Sequence, residues 1–381
     1  TCALPIWQWD SELIQAKDIT DNVVDFMASK ISTLSETTQK ILQVAACIGN
    51  SFDVLLLAVI YQQSPQQVIY GLFPAIQQGL IVSLNQGYQL INLDHDTDCS
   101  LVKFRFQHDR VQQAAYTLIE PSQKTAFHLL IGRLLLKTKT SETLSESIFE
   151  IIDHLNLASD QVTCPEEFHE IASLNLIASQ KAKVAAAYEL ATNYANAGIN
   201  HLSDLSADSW QTHYELTLAL HNEAIEAAYL NGDLKAMARL AKVVLQQARL
   251  LLDKVKAYQV QIQASIGQNQ LLDALNTALT ILKLLGVNLP ENPTNTDIEL
   301  GLAETIENLP AIGIQDLINM PEMTDPYKLA TMEILSSVLN AAYMAIPDLL
   351  PLIVFAQVNL SINHGNSCFS AFAYANYGLI L

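Results

Sequence analysis

Positive charge is scarce in this chain. Twenty Lys and Arg stand against 39 Asp and Glu, a formal net charge of -19 over 381 residues. Generic attraction to nucleic acid or to an anionic membrane is therefore not expected, because the phosphate contribution to binding requires cations. Cysteine is sparse too. Cys2, Cys47, Cys99, Cys164 and Cys368 are an odd number, far apart and without a C-x-x-C pair. That pattern suits a reducing cytoplasm, with most thiols acting as small buried apolar groups. No apolar run reaches the roughly 20 residues of a membrane helix; the most apolar tract, Leu349 to Ala356, is short and contains Pro351. The start lacks the basic and apolar regions of a signal peptide.

Catalytic signatures are also missing. No Gly is followed by Lys, so there is no Walker A loop. There is no G-x-G, H-E-x-x-H or G-x-S-x-G pattern, and no kinase catalytic-loop or D-F-G motif. Nothing in the segment itself indicates an enzyme, and it has no metal or cofactor set of its own. Both ends read as cut: there is no initiator Met, and an apolar run is in progress at Leu381. Thr1 to Ile6 resemble a translated sequencing adapter, and genuine genomic sequence there would remove that reading.

What is present is mostly helical patterning. Thr20 or Asp21 caps a helix to about Thr33, and Ser35 caps a second that stops at Gly49 and buries Ile41, Leu42, Val44, Ala45 and Ile48. A third, Asp53 to Gln62, is almost wholly apolar and is expected to be buried. Ser64-Pro65 opens a fourth, to Gln78. The period then changes. Residues 80–84 and 88–93 around Asn85-Gln86-Gly87 predict a β-hairpin, and 101–106 a third strand. Helices followed by a small sheet make a winged-helix layout for residues 20–120.

From Pro121 onward helices alternate with short breaks, predicted at 121–138, 145–156, 165–180, 183–202, 209–230, 233–250, 254–266 and 270–285. After a Pro- and Asn-rich break at 288–297 they resume at 298–308, 326–345, 349–364 and 368–381. Asn231-Gly232-Asp233 and Gly267-Gln268-Asn269-Gln270 read as tight turns between helices. Ala236-Met237-x-x-Leu240-x-x-Val243 is echoed 38 residues later by Ala274-Leu275-x-x-Ala278-x-x-Ile281. The fold expected is mainly α: a winged helix followed by an irregular helical-hairpin solenoid of the tetratricopeptide type. Its divisions are 1–19, the tail of an upstream module; 20–120, the winged helix; 121–164, connecting helices; and 165–381, the repeat array.

Three groups of residues invite a chemical reading. Asp94-x-Asp96-x-Asp98 resembles the start of a calcium loop, but Cys99 and Arg105 stand where the Gly and the closing Glu belong, so a solvated wing tip is preferred. His201, His213 and His221 lack carboxylate or cysteine partners in the sequence and read as surface or packing residues. The helix 65–78 that would enter a DNA groove has no Lys or Arg, and residues 20–120 carry five basic and nine acidic side chains, which argues against groove readout. His108-Asp109-Arg110 at a strand-to-helix junction is the third group. Local physics favours a plain helix cap; a helix N-terminus flanked by His and Arg would also suit a phosphate.

Several blocks carry a family resemblance: Ile19 to Asp25, Ala45 to Asp53, Phe104 to Tyr116, Ala207 to Leu216, Pro321 to Pro326 and Ser370 to Gly378. Together they resemble cyanobacterial multi-sensor signal-transduction kinases. Members of that family run from a serine/threonine kinase through a STAND-class, AAA-related ATPase and a helical repeat region to a GAF sensor and a histidine kinase. The resemblance implies that this chain is the winged-helix and helical-repeat part. The ATP-binding and kinase domains would lie outside it and be its partners in cis, with ATP or ADP and Mg held by the ATPase core. An inducer, protein or small molecule, would act on the helical array. Phe106-Gln107-His108-Asp109 also resembles the M-H-D motif of nucleotide-binding leucine-rich-repeat receptors, with Gln107 replacing Met. By that resemblance His108 would sense the β-phosphate of ADP, Asp109 would orient the turn and Arg110 would flank the site, which reverses the preference for a plain cap. Two other readings stay open: part of a STAND-type transcription regulator with DNA binding elsewhere, or a helical interaction scaffold.

Overall fold

The computed structural model describes residues 22–84, 102–206, 208–309 and 317–381. They are mainly helical, with one small antiparallel sheet of three strands. The chain divides into two compact units between Glu167 and Phe168.

The first unit opens with α1 (Asn22–Ser32) and α2 (Glu36–Ile48). Ser35 caps α2 by accepting the Thr38 N–H at 3.2 Å, and the expected stripe Ile41, Leu42, Val44, Ala45 and Ile48 is buried. Strand β1 (Ser51–Asp53) follows, then α3 (Val54–Tyr61), where the Asp53 side chain caps the Leu55 N–H. Next comes α4 (Pro65–Gln77), which begins in a capping box of Ser64 and Gln67. Strands β2 (Ile81–Ser83) and β3 (Lys103–Phe106) complete the sheet. Its order is β1-β3-β2, with Phe52 opposite Phe104 and Val82 opposite Arg105. Three helices close the unit: α5 (Asp109–Thr117), α6 (Pro121–Thr138) and α7 (Ser141–Leu157).

Two expectations need correction here. Ser51–Asp53 is a strand, where the sequence pattern gave only the start of a helix. Three residues are too few for a period-2 signal, and the strand exists because β3 supplies its hydrogen bonds. Nor is α3 buried all round: Leu55 is 39% and Val59 57% exposed, while Val54, Leu57, Ala58 and Ile60 are buried. The predicted turn at 85–87, strand at 88–93 and Asp94-x-Asp96-x-Asp98 loop lie outside the described residues.

The second unit is a succession of helices: α8 (Pro165–Val184, beginning just before the division), α9 (Tyr188–Leu205), α10 (Ser209–Thr212), α11 (Tyr214–Leu230), α12 (Leu234–Gln247), α13 (Leu251–Gly267) and α14 (Leu271–Leu284). After them come α15 (Asn295–Asn308), α16 (Pro326–Ala345), α17 (Leu349–His364) and α18 (Ser370–Ile380). Neighbours in sequence pack on one another, as in α11 on α12, α13 on α14 and α16 on α17, while α11 also packs on α9 and α14 on α16. The single helix expected over 209–230 is broken at His213. The turn at Asn231-Gly232-Asp233 forms as expected, with Gly232 at φ +79° and Asp233 accepting the Ala236 N–H at 3.0 Å. In the later turn the positive φ falls on Asn269 at +59°, not on Gly267. Met237, Leu240, Leu275, Ala278 and Ile281, from the echoed pattern, are all buried.

Candidate functional site

Strand β3 alternates, as a half-buried strand must: Phe104 and Phe106 point inward, Lys103 and Arg105 outward. The ring of Phe52 on β1 lies 6.2 Å from that of Phe104 and 5.5 Å from that of Phe106. The strand end is pinned by two backbone bonds of 2.9 Å, from Phe106 N–H to the Asn50 carbonyl and from Gln107 N–H to the Leu80 carbonyl. His108 is thereby delivered, in extended backbone, to the first turn of α5.

There it is the N-cap. Its Nδ1 accepts the Arg110 N–H at 3.2 Å, and its backbone carbonyl accepts the Val111 N–H at 2.9 Å. An Nδ1 that accepts has no proton, so the neutral ring carries its hydrogen on Nε2, and the side chain is exposed. Asp109 is exposed in the first turn, where its charge complements the helix dipole. The Arg110 guanidinium turns along α5 and donates to Gln113 Oε1 at 3.0 Å. The three residues named from sequence therefore share one exposed helix start. In His108 the cap bond occupies Nδ1 and leaves Nε2 on the outward side of an exposed ring.

A second constellation has no counterpart in the sequence reading. Tyr116 Oη, at the far end of α5, lies 3.0 Å from His128 Nε2 on α6, and His128 Nδ1 lies 2.8 Å from His154 Nδ1 on α7. Burial, then the neighbouring His128, pushes the pKa of His154 down to about 4, against a smaller opposing pull from the Ile48 carbonyl. Burial and the Lys124 cation lower that of His128. Lys124 sits over the Tyr116 ring at 4.6 Å. The one available signal was His128 on the apolar face of α6, four residues before Gly132; its partner is 26 positions away.

The other singled-out histidines lie apart from one another. His201 is buried with its ring 6.0 Å from Phe168, His213 lies 5.2 Å from His169, and His221 is buried 4.8 Å from Trp210 with Nδ1 2.7 Å from the Thr217 carbonyl. Among the described residues no group of three or more His, Cys, Asp or Glu is placed to hold a metal ion. The thiols also need correction: Cys47 is buried, with its pKa pushed up to about 12 by burial, but Cys164 and Cys368 are exposed because each sits in a connection between helices. Among the described residues no helix is long and apolar enough to cross a membrane.

Comparison with known proteins gives one informative relative. The chain is 24% identical to "Hybrid signal transduction histidine kinase G" of Dictyostelium discoideum, over 98% of its own length and 13% of that protein. This distant similarity supports a relationship to signalling kinases. No family model matches the chain, and no solved structure does.

Proposed function

We propose that this chain is the regulatory segment of a STAND-type signalling kinase, in which His108 couples the nucleotide state of an adjoining ATPase domain to events on the helical array. The observation that carries the reading is the His108 cap: a neutral imidazole, fixed by its Nδ1, that presents Nε2–H beside a helix N-terminus. Such a donor set suits one phosphate oxygen. Asp109 opposes a second, so the imidazole rather than the whole turn would make the contact. The order α1-α2-β1-α3-α4-β2-β3, with its small antiparallel sheet, supports a winged helix, and the helix pairs from α8 onward support a hairpin array of the tetratricopeptide kind. The similarity to a hybrid histidine kinase supports kinase domains in cis. ATP or ADP with Mg belongs to the ATPase core, and this segment has no catalytic role. An inducer bound to the array would shift the balance between locked and released states by its differential affinity for them. The same parts could serve a transcription regulator only with a DNA-binding domain elsewhere, because helix α4 has no cation to meet phosphate.

The test separates capping from sensing. In the full-length kinase, His108→Asn keeps a side chain that caps well but removes the outward imidazole N–H. We expect it to release ADP about tenfold faster while its melting temperature stays near wild type, a loss of roughly 1.4 kcal/mol of ADP binding. His108→Ala should lose both, with about 1 kcal/mol of cap stability. An unchanged ADP release rate in His108→Asn would eliminate the sensor role.

A further inference from the structure

The first unit contains an unassigned cleft of about 470 Å³, within the size range of small-ligand sites. Its wall is apolar: Phe52, Leu56 and Leu135 lie deeper, and Leu55 and Val59 of α3 stand at its mouth. These last two are the residues whose exposure contradicts the apolar character of their helix. An apolar lining left open to solvent is a cost unless something covers it.

The charges around the cleft indicate what that is. Lys103 of β3 and Lys139, just beyond α6, both line it. Among the described residues neither ammonium has a carboxylate within ion-pairing distance. In a chain with 20 cations and 39 anions, this cleft is lined by two lysines that form no ion pair among the described residues. Of the two acidic residues in the wall, Asp53 is committed to the Leu55 N–H at 2.7 Å, and Glu150 is exposed on α7.

We propose that this cleft binds an amphipathic anion of the fatty-acid class, its acyl tail along Phe52, Leu55 and Val59 and its carboxylate at Lys103 and Lys139. The tail would remove apolar wall from water, and the head group would receive charge-assisted hydrogen bonds. Because Phe52 packs on Phe104 and Phe106, an occupant touches the strand that leads to His108. The binding itself does not depend on the nucleotide reading.

Calorimetric titration of the 381-residue chain with dodecanoate, below its micelle concentration, tests the proposal. Saturable binding is expected, weakened about tenfold or more in the double variant Lys103→Gln/Lys139→Gln and comparably in Val59→Asp. The double variant Lys235→Gln/Lys242→Gln, remote in sequence and on the second unit, should bind as wild type. Three results would overturn the idea: no saturable binding, equal binding of dodecyltrimethylammonium, or an equal loss in the control variant. Competitive displacement of dodecanoate by an apolar peptide helix that binds more tightly and ignores both lysines would reassign the cleft to a protein partner, and so would also overturn it.

Discussion

His154 is the residue with the sharpest consequence for stability. Its folded pKa of about 4 lies below the ordinary 6.5, so between those values the unfolded chain binds a proton that the folded one refuses. Stability is fully present above pH 6.5, falls as the pH drops towards 4, and levels off below. The shift is worth up to about 3 kcal/mol, less whatever the contact with His128 shares between the two rings. Chemical denaturation at a series of pH values should show that slope in the wild type and a much shallower one in His154→Leu. Equal slopes would mean that the acid sensitivity has another source. Of the groups that act on this pair, the buried ring of His128, Lys124 on the same helix, the Tyr116 hydroxyl and the Ile48 carbonyl, none is an anion that would hold the imidazolium. The contrast with His108 is instructive. Both rings use Nδ1 in a hydrogen bond, but one is exposed at a helix start and free to serve a ligand, and the other is sealed between three helices.

Helices α6 and α7 can hold that pair together because Gly132 lets them approach. A Cβ at this position would lie 2.6 Å from Leu155 Cδ2, 2.8 Å from its Cγ and 3.4 Å from His154 Cβ. The Cγ belongs to the stem of the side chain, so rotating Leu155 does not clear the space. Gly132→Ala should cost about 1–3 kcal/mol through overpacking, more than the roughly 1 kcal/mol that alanine gains in helix propensity. A lower denaturation midpoint checks this, and a higher one would show that the helices can separate freely. Helix ends were readable from the sequence where one side chain does the work: Ser35 and Ser64-Pro65 announce α2 and α4, and His108 stands at the start of α5. Strand β1 was not readable, since its identity depends on a partner some 50 residues later. The outward face of α3 was hidden for a related reason. Apolar composition predicts burial, but whether a neighbour covers Leu55 and Val59 is decided by tertiary packing. The Tyr116, His128 and His154 chain combines both difficulties, because each member looks like an isolated residue on its own helix.

Over the whole molecule the charge imbalance of -19 acts as self-repulsion, since few cations are present to offset it. Only a handful of ion pairs occur among the described residues; Lys183 with Glu223 and Glu226, extended by Lys256, forms the largest. Screening should therefore help more than it harms. The melting temperature is expected to rise by several degrees between low salt and about 0.5 M NaCl, as the Debye length contracts to a few ångströms. A fall would mean that attractive pairs dominate. The sheet adds a constraint on how the first unit is made. Among the described residues its middle strand, β3, is the last of the three to be synthesised, so β1 and β2 gain β3 as a partner only once residue 106 has left the ribosome. Pairing with β3 brings together residues far apart in the chain, Ser51 with Arg105 among them, the kind of non-local event that slows folding. His108 follows that strand by two residues, so the proposed sensor reaches its place only when the sheet is whole. Any nascent or damaged chain that has not completed the unit would lack the His108 cap, so the proposed sensing would depend on correct folding.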